Sequence, residues 1–330
     1  MSVAVLIAAK DAAATIGRSI ASALAESQVS QVIVVDDGSA DETARAARAA
    51  DDASGRLIVE RLAENRGPSA ARNHALTLAT ADYVAVLDSD DIILPGRFAR
   101  LLAVPEWDMI GDNILFVADG TDLDALAVPQ PTTVVEALDL ADFIEGCVQR
   151  RSRTRSQLGF LKPVIRRSLI AETGLGYDER IRLGEDFLLY VELLRRGACF
   201  LLTRSVGYVA VERATSLSAR HRTADLAALL DAERALLAGL PRGTPAAEKM
   251  RSRIADTAGK HALRAFLDKK RADGLLPALA WLAERPRSWR AVIGGVARDK
   301  VTAALTERRP VPAPAAPRLL LPEQQTIVRG

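Results

Sequence analysis

Cysteine is nearly absent from this chain: Cys147 and Cys199 are the only two in 330 residues. They lie too far apart for the paired spacing of a zinc or redox motif, so both read as spectator thiols of a reducing, cytoplasmic compartment. Long apolar runs are missing too. None approaches the roughly 18–20 residues that cross a bilayer, and even the leucine-rich stretch 226–240 carries Asp231, Glu233 and Arg234. Met1–Ala9 is apolar but is cut short by Lys10 and Asp11, without a basic leader or cleavage site, and reads as mature sequence. Charge of one sign is also lacking. The 44 basic and 42 acidic residues leave a net charge of +2, too little for whole-surface attraction to nucleic acid or anionic lipid. Any basic function must be local.

What remains is a soluble composition, 49% hydrophobic, 26% charged and only 4% aromatic, and enough length for one large domain with a smaller appendage. The first hundred residues alternate strand and helix signals. Residues 3–8 form a short apolar run, followed by Ile16, Ile20, Ala23 and Leu24 at helical spacing. Residues 31–35 form a second strand ending in Asp36 and Asp37, and Ser39 with Glu42 forms a capping box that predicts a helix over 40–51. Residues 56–61 are a third strand, Gly67-Pro68 opens an alanine-rich helix, and 83–87 is a fourth strand broken by Asp88, Ser89, Asp90 and Asp91. Such alternation predicts an α/β fold with a mostly parallel sheet, whose ligands bind beyond the carboxyl ends of the strands. Both acidic clusters lie at such ends.

Further along, the pattern predicts a strand over 107–117, a helix over 134–149, a strand over 160–165 and a short helix over 167–173. Gly184, Glu185 and Asp186 open a helix ended by Gly197. Beyond Arg222 only helices are expected, and five prolines between Pro310 and Pro322 predict a mobile tail. The implied division is 1–222, 223–309 and 310–330.

Asp88, Asp90 and Asp91 carry the strongest chemical signal. Three carboxylates within four residues repel one another unless a cation or hydrogen-bond donors offset their charge, and hard oxygens suit magnesium or manganese. An acidic turn capping the next helix accounts for the same residues without any metal. A receiver-domain reading of Asp36 and Asp37 fails for want of a lysine-bearing strand, and an oxidoreductase for want of a G-x-G-x-x-G after the first strand. Between Cys147 and Ala171 lie seven cations and no acid, Arg150, Arg151, Arg153, Arg155, Lys162, Arg166 and Arg167. They read either as a solvated loop or as a binding surface for a diphosphate or anionic acceptor.

The ordered series Val34-Val35-Asp36-Asp37-Gly38-Ser39, Asn65-Arg66-Gly67, Ala71-Arg72-Asn73, Leu87-Asp88-Ser89-Asp90-Asp91 and Gly184-Glu185-Asp186 resembles the bacterial family 2 glycosyltransferases of the GT-A fold, within them most closely the enzymes of exopolysaccharide synthesis of the succinoglycan type. The resemblance spans about residues 1–215. It implies an inverting transferase using a nucleotide-diphospho-sugar, such as a UDP-hexose, with Mn2+ or Mg2+. Asp37, supported by Asp36, would hold the uracil or ribose; Arg72 would approach the nucleotide or diphosphate and Asp88 the ribose or donor sugar. Asp90 would bind the metal with Asp91 as second candidate, Asp186 would be the catalytic base, and His221 would contact the donor. The family's usual opening has an aromatic-Asn pair after the first strand, where this chain has Ala9-Lys10-Asp11.

The resemblance, with the weakly basic carboxyl half, further implies a cytoplasmic enzyme that moves glucose to a saccharide on a polyprenyl diphosphate, peripheral at the inner membrane face and without a nucleic-acid partner. Trp281 and Trp289, among Arg285, Arg287 and Arg290, suit either a lipid interface or core packing. A noncatalytic sugar-nucleotide-binding or scaffold protein of the same fold is the alternative.

Overall fold

The computed structural model describes residues 1–123, 125–129, 132, 134–148, 157–213, 222–306 and 316–321. Strand β1 (Val3–Ala9) is interior along nearly its whole length and lies between β2 (Val29–Asp36) and β4 (Tyr83–Val86), with β3 (Leu57–Arg61) outside β2. All four run parallel. Their connections are α1 (Ile16–Leu24), α2 (Thr43–Ala49) and α3 (Pro68–Leu78). Helix α1 buries Ile16, Ile20, Ala23 and Leu24, the predicted apolar face, and Pro68 occupies the first turn of α3.

In the rest of the sheet short antiparallel strands join the parallel set of the expected α/β fold. After β5 (Ile92–Ile93) and α4 (Arg97–Leu102) come β6 (Met109–Ala118), β7 (Val135–Ala137), α5 (Leu140–Gly146), β8 (Val164–Arg166), α6 (Arg167–Thr173), α7 (Glu185–Arg195) and β9 (Phe200–Glu212). Strand order is β3-β2-β1-β4-β8-β6-β9-β5. Strand β8 runs antiparallel to both neighbours, β4 and β6, while β6 and β9 are parallel. Strand β8 therefore separates β3-β2-β1-β4 from β6-β9, which point the same way, and β5 runs antiparallel to β9. The amino end of β8 lies at the edge where β1, β2 and β4 have their carboxyl ends.

Several predicted elements shift. Helix α2 starts at Thr43, later than the capping box implied, because the Ser39 hydroxyl accepts the Asp11 N–H (2.9 Å) and Asp41 accepts that of Thr43 (3.0 Å). The helix expected over 134–149 is β7, paired to β9, followed by α5, which Asp139 caps through the Asp142 N–H (2.8 Å). The strand expected over 160–165 begins with a 3-10 turn, Leu158–Phe160, and is extended only past Pro163, which has no N–H for a ladder.

The carboxyl half contains α8 (Thr223–Ala238), α9 (Pro245–Asp273), α10 (Leu275–Ala283) and α11 (Trp289–Thr306). Leu229, Leu240, Ala247 and Met250 join the main core, whereas Ala262, Phe266, Ala278, Leu282 and Val292 form a separate small cluster where α9, α10 and α11 meet. Part of the expected mobile tail is seated. Strand β10 (Arg318–Leu319) pairs with β6, Leu320 is buried, and Asn113 clasps Leu321 by accepting its N–H and donating to its carbonyl, both at 2.8 Å.

Candidate active site

The first acidic pair organises backbone. Asp36 is fully buried at the end of β2, where it accepts the Ser39 N–H (2.9 Å) and lies 3.5 Å from the Arg61 guanidinium. Asp37 accepts the N–H groups of Arg66 (2.7 Å) and Gly67 (2.8 Å), so it holds the Asn65-Arg66-Gly67 turn at the entrance to α3. Gly38 adopts φ 63°, and a Cβ there would fall 2.7 Å from the Glu64 carbonyl carbon, which leaves room for glycine alone. Each Asp37 oxygen has a further lone pair to offer a ligand. Lys10 donates to the Gly38 carbonyl (3.1 Å), so the residue that departs from the family's usual opening lies across the same turn.

The second cluster is a closed ring of charge. Arg72, from α3, reaches Asp88 (3.1 Å), Glu185 (2.7 Å) and Asp186 (3.5 Å). Lys162 closes the ring, 3.1 Å from Asp88 and 3.0 Å from Asp186. Asp186 stands in the first turn of α7, behind Gly184 at φ 77°. Arg72, Lys162 and Asp186 are all buried, while Asp88 is about one-third exposed along its side chain (35%). Burial works to raise the Asp88 carboxyl, but Lys162 and Arg72 outweigh it and hold the group below its ordinary value. Burial likewise opposes the Lys162 charge, and Asp186 and Asp88 override it, holding the ammonium above its ordinary value. The Tyr177 phenol beside this ring is raised by burial and by Asp186. Its backbone is gripped by Asn73, which donates to the Tyr177 carbonyl and accepts its N–H, both at 2.8 Å.

Lys162 is the residue that sequence reasoning missed, having counted it only within a basic stretch. Reversed β8 delivers it: Val164 is in register with Ala85, so a residue two positions earlier lies level with the end of β4. Beneath it Arg97, fully buried, chelates Asp112 (2.8–3.1 Å) and donates to the Lys162 carbonyl. Gly207 makes space for this pair, since a Cβ there would sit 1.9 Å from an Asp112 oxygen.

Asp90 and Asp91 part company. Asp91 is buried, and its carboxylate accepts the Tyr208 hydroxyl and the Val211 N–H, each at 2.8 Å, which pins the acidic loop to β9. Burial, then Asp88 and Asp90, pushes its carboxyl well above the ordinary value. Asp91, the second metal candidate, is thus also a structural peg, each of its oxygens already accepting one hydrogen bond. Asp90 keeps an outward carboxylate with Arg213 Nε at 3.9 Å. Burial and then Asp88 raise it, with Arg213 opposing. A divalent cation would relieve that strain. Among the described residues no three His, Cys, Asp or Glu converge on a metal position, so an ion at Asp90 would need oxygens from a bound ligand, as Mg2+ commonly does with phosphates. On that chemistry the residues fit a divalent ion. His221 and Arg150–Arg155 lie outside the described residues.

The comparisons follow the same lines. Residues 4–130 match the family model "Glycosyl transferase family 2". The chain is 44% identical over 315 residues to succinoglycan biosynthesis protein ExoU of Rhizobium meliloti (strain 1021), covering 95% of this chain and 91% of that protein. Among solved structures, S. aureus TarS 1–349 in complex with UDP-GlcNAc aligns with TM-score 0.56 and 19% identity, over 88% of this chain and 79% of that one. The mannosyltransferase PcManGT from Pyrobaculum calidifontis, in complex with GDP-Man and Mn2+, aligns with TM-score 0.53 and 18% identity, over 93% and 88% respectively. At that identity the two structures speak for the fold alone. The sequence relationship and the architecture together place the chain in glycosyltransferase family 2, with the GT-A fold.

Proposed function

We propose that this glycosyltransferase is an inverting enzyme of exopolysaccharide synthesis that moves a hexose, glucose by preference, from a UDP-sugar to a saccharide carried on a polyprenyl diphosphate, at the cytoplasmic face of the membrane. The observation that carries the reading is the convergence of Asp88, Asp90 and Asp186 on one sheet edge, with Arg72 and Lys162 buried between them. The relative named for succinoglycan biosynthesis supports the pathway class.

Asp37 and Asp36 form the floor for the uridine, their backbone partners fixing their orientation. Asp88, kept ionised by Lys162 and Arg72, accepts hydrogen bonds from ribose or sugar hydroxyls. Mn2+ or Mg2+, held by Asp90, would neutralise charge that grows on the departing diphosphate. Asp186 accepts the proton of the acceptor hydroxyl as its oxygen bonds the anomeric carbon and the bond from that carbon to the diphosphate oxygen breaks. Attack opposite the leaving group inverts the anomer. In the structure Asp186 is shared between Lys162 and Arg72, which fix its orientation and occupy its oxygens. A diphosphate that draws either cation away would free one carboxylate oxygen for the acceptor.

The test compares wild type with Asp186→Asn, measuring UDP release with acceptor present and UDP-sugar binding by calorimetry with Mn2+. Transfer should fall by about 10²–10⁴-fold with donor binding retained. Absence of UDP release by the wild type itself would favour the noncatalytic or scaffold reading, and full transfer by the variant, or loss of its donor binding, would refute the base assignment.

A further inference from the structure

Helix α10, Leu275–Ala283, has no charged or polar side chain in its nine residues. A helix apolar on every face belongs in an interior, yet α10 buries only Ala278 and Leu282. Leu275, Leu276 and Leu279 are 52%, 79% and 45% exposed, and they share one side of the helix with exposed Ala280 and Ala283. Helix α11 repeats the pattern: Val292 packs inward on the cluster with Phe266, while Trp289 and Ile293 face outward, 45% and 60% exposed. The Trp289 indole donates to the Leu282 carbonyl (2.7 Å), which sets the ring against the end of α10 and continues its apolar stripe. Five of the eight exposed large apolar side chains among the described residues lie in this hairpin.

Its rim is basic. Lys270 and Arg271 precede α10, and Arg287 and Arg290 follow it, all exposed and none with an ion-pair partner among the described residues. The acids here are already neutralised, Asp273 by Lys269 (2.9 Å) and Glu284 by Arg285 (3.1 Å). Four uncompensated cations bordering leucine and tryptophan match the chemistry of an anionic lipid surface, which offers phosphates at the level of the cations and hydrocarbon beneath. Nine residues rise only about 14 Å, so α10 would lie in the interface and not cross it.

We infer that the α10–α11 hairpin is the docking surface of this protein on an anionic bilayer. The inference deepens the proposed lipid-carried acceptor and rests on that reading for its purpose, while its evidence is separate. Full-length protein should float with vesicles of phosphatidylcholine containing about one-third phosphatidylglycerol, with a blue-shifted tryptophan emission, and bind pure phosphatidylcholine far less. Leu276→Glu with Ile293→Glu should weaken binding tenfold or more. Arg287→Glu with Arg290→Glu should abolish the preference for anionic lipid, each cation lost being worth about fivefold. Both variants should keep the wild-type melting temperature and UDP-sugar binding.

Absence of vesicle binding by the wild type would overturn the inference, as would undiminished binding by the glutamate variant. A wild-type dimer by light scattering, dissolved by Leu276→Glu with Ile293→Glu and indifferent to vesicles, would overturn it in favour of a second copy as occupant. Vesicle binding without UDP-sugar binding would leave this surface standing and remove the proposed function, whereas donor binding without vesicle binding would do the reverse.

Discussion

Two regions of this molecule reverse the usual distribution of polarity. At the sheet edge, Arg72, Lys162 and Asp186 are buried with their charges; on α10, three leucines stand in solvent. Buried charge persists only when each group has partners, because desolvation costs more than most single contacts return. Exposed leucine costs little in the folded protein itself. The first arrangement is therefore held by mutual dependence, and the second by nothing among the described residues. Substitutions in the two regions should differ sharply.

The largest effect belongs to the ring. Lys162→Met leaves Asp88 and Asp186 facing each other with one cation fewer and should cost about 3–5 kcal/mol in urea unfolding. Combined with Asp186→Asn, the loss should be less than additive. The stability gap between wild type and Lys162→Met should also depend on pH. Because the folded state holds the ammonium above its ordinary value of 10.5, its contribution is fully present below that pH and declines as pH rises beyond it. A gap unchanged well above pH 10.5 would break the assignment.

Next comes the clasp on Leu321. Asn113→Ala strands two backbone groups and should cost about 1–3 kcal/mol, read as a lower melting temperature. Asp90→Asn should have the opposite sign. Removing a carboxylate that burial and Asp88 already push upward should raise the melting temperature slightly while abolishing Mn2+-dependent donor binding, a trade of stability for function. The smallest effect closes the comparison: Leu276→Ser, on the exposed stripe, should shift stability by no more than about 0.5 kcal/mol. A loss of several kcal/mol there would mean that α10 is covered within the protein.

The legible parts of the fold are those whose signal is local. Val3–Ala9 and Val29–Asp36 are apolar runs, Ile16 to Leu24 repeats at helical period, and parallel crossovers place Asp36 and Asp88 at one edge. Gly184, at φ 77°, marks a helix start that the sequence pattern had already placed there. What was hidden depends on register between distant segments. Lys162 becomes a site residue only because β8 enters reversed, and Asp91 pins the acidic loop only because Tyr208 and Val211, over a hundred residues away, donate to its oxygens. Neither fact has a periodicity. A short β-branched stretch such as Val134-Val135 reads equally as helix or strand until an edge such as that of β9 is there to take it.

The pairing of β10 with β6 has a consequence for how the chain is made. Past the short contact with β8, the flank of β6 at Leu115 and Phe116 is covered by residues 318–319, and Asn113 meets Leu321 across 208 positions. At roughly 5–20 residues per second on the ribosome, that partner arrives about 10–40 s after the strand it covers. During translation the nascent sheet thus carries an unshielded border next to an apolar interior, and a chaperone that shelters it in that interval would find nothing left to bind once the last strand is laid down.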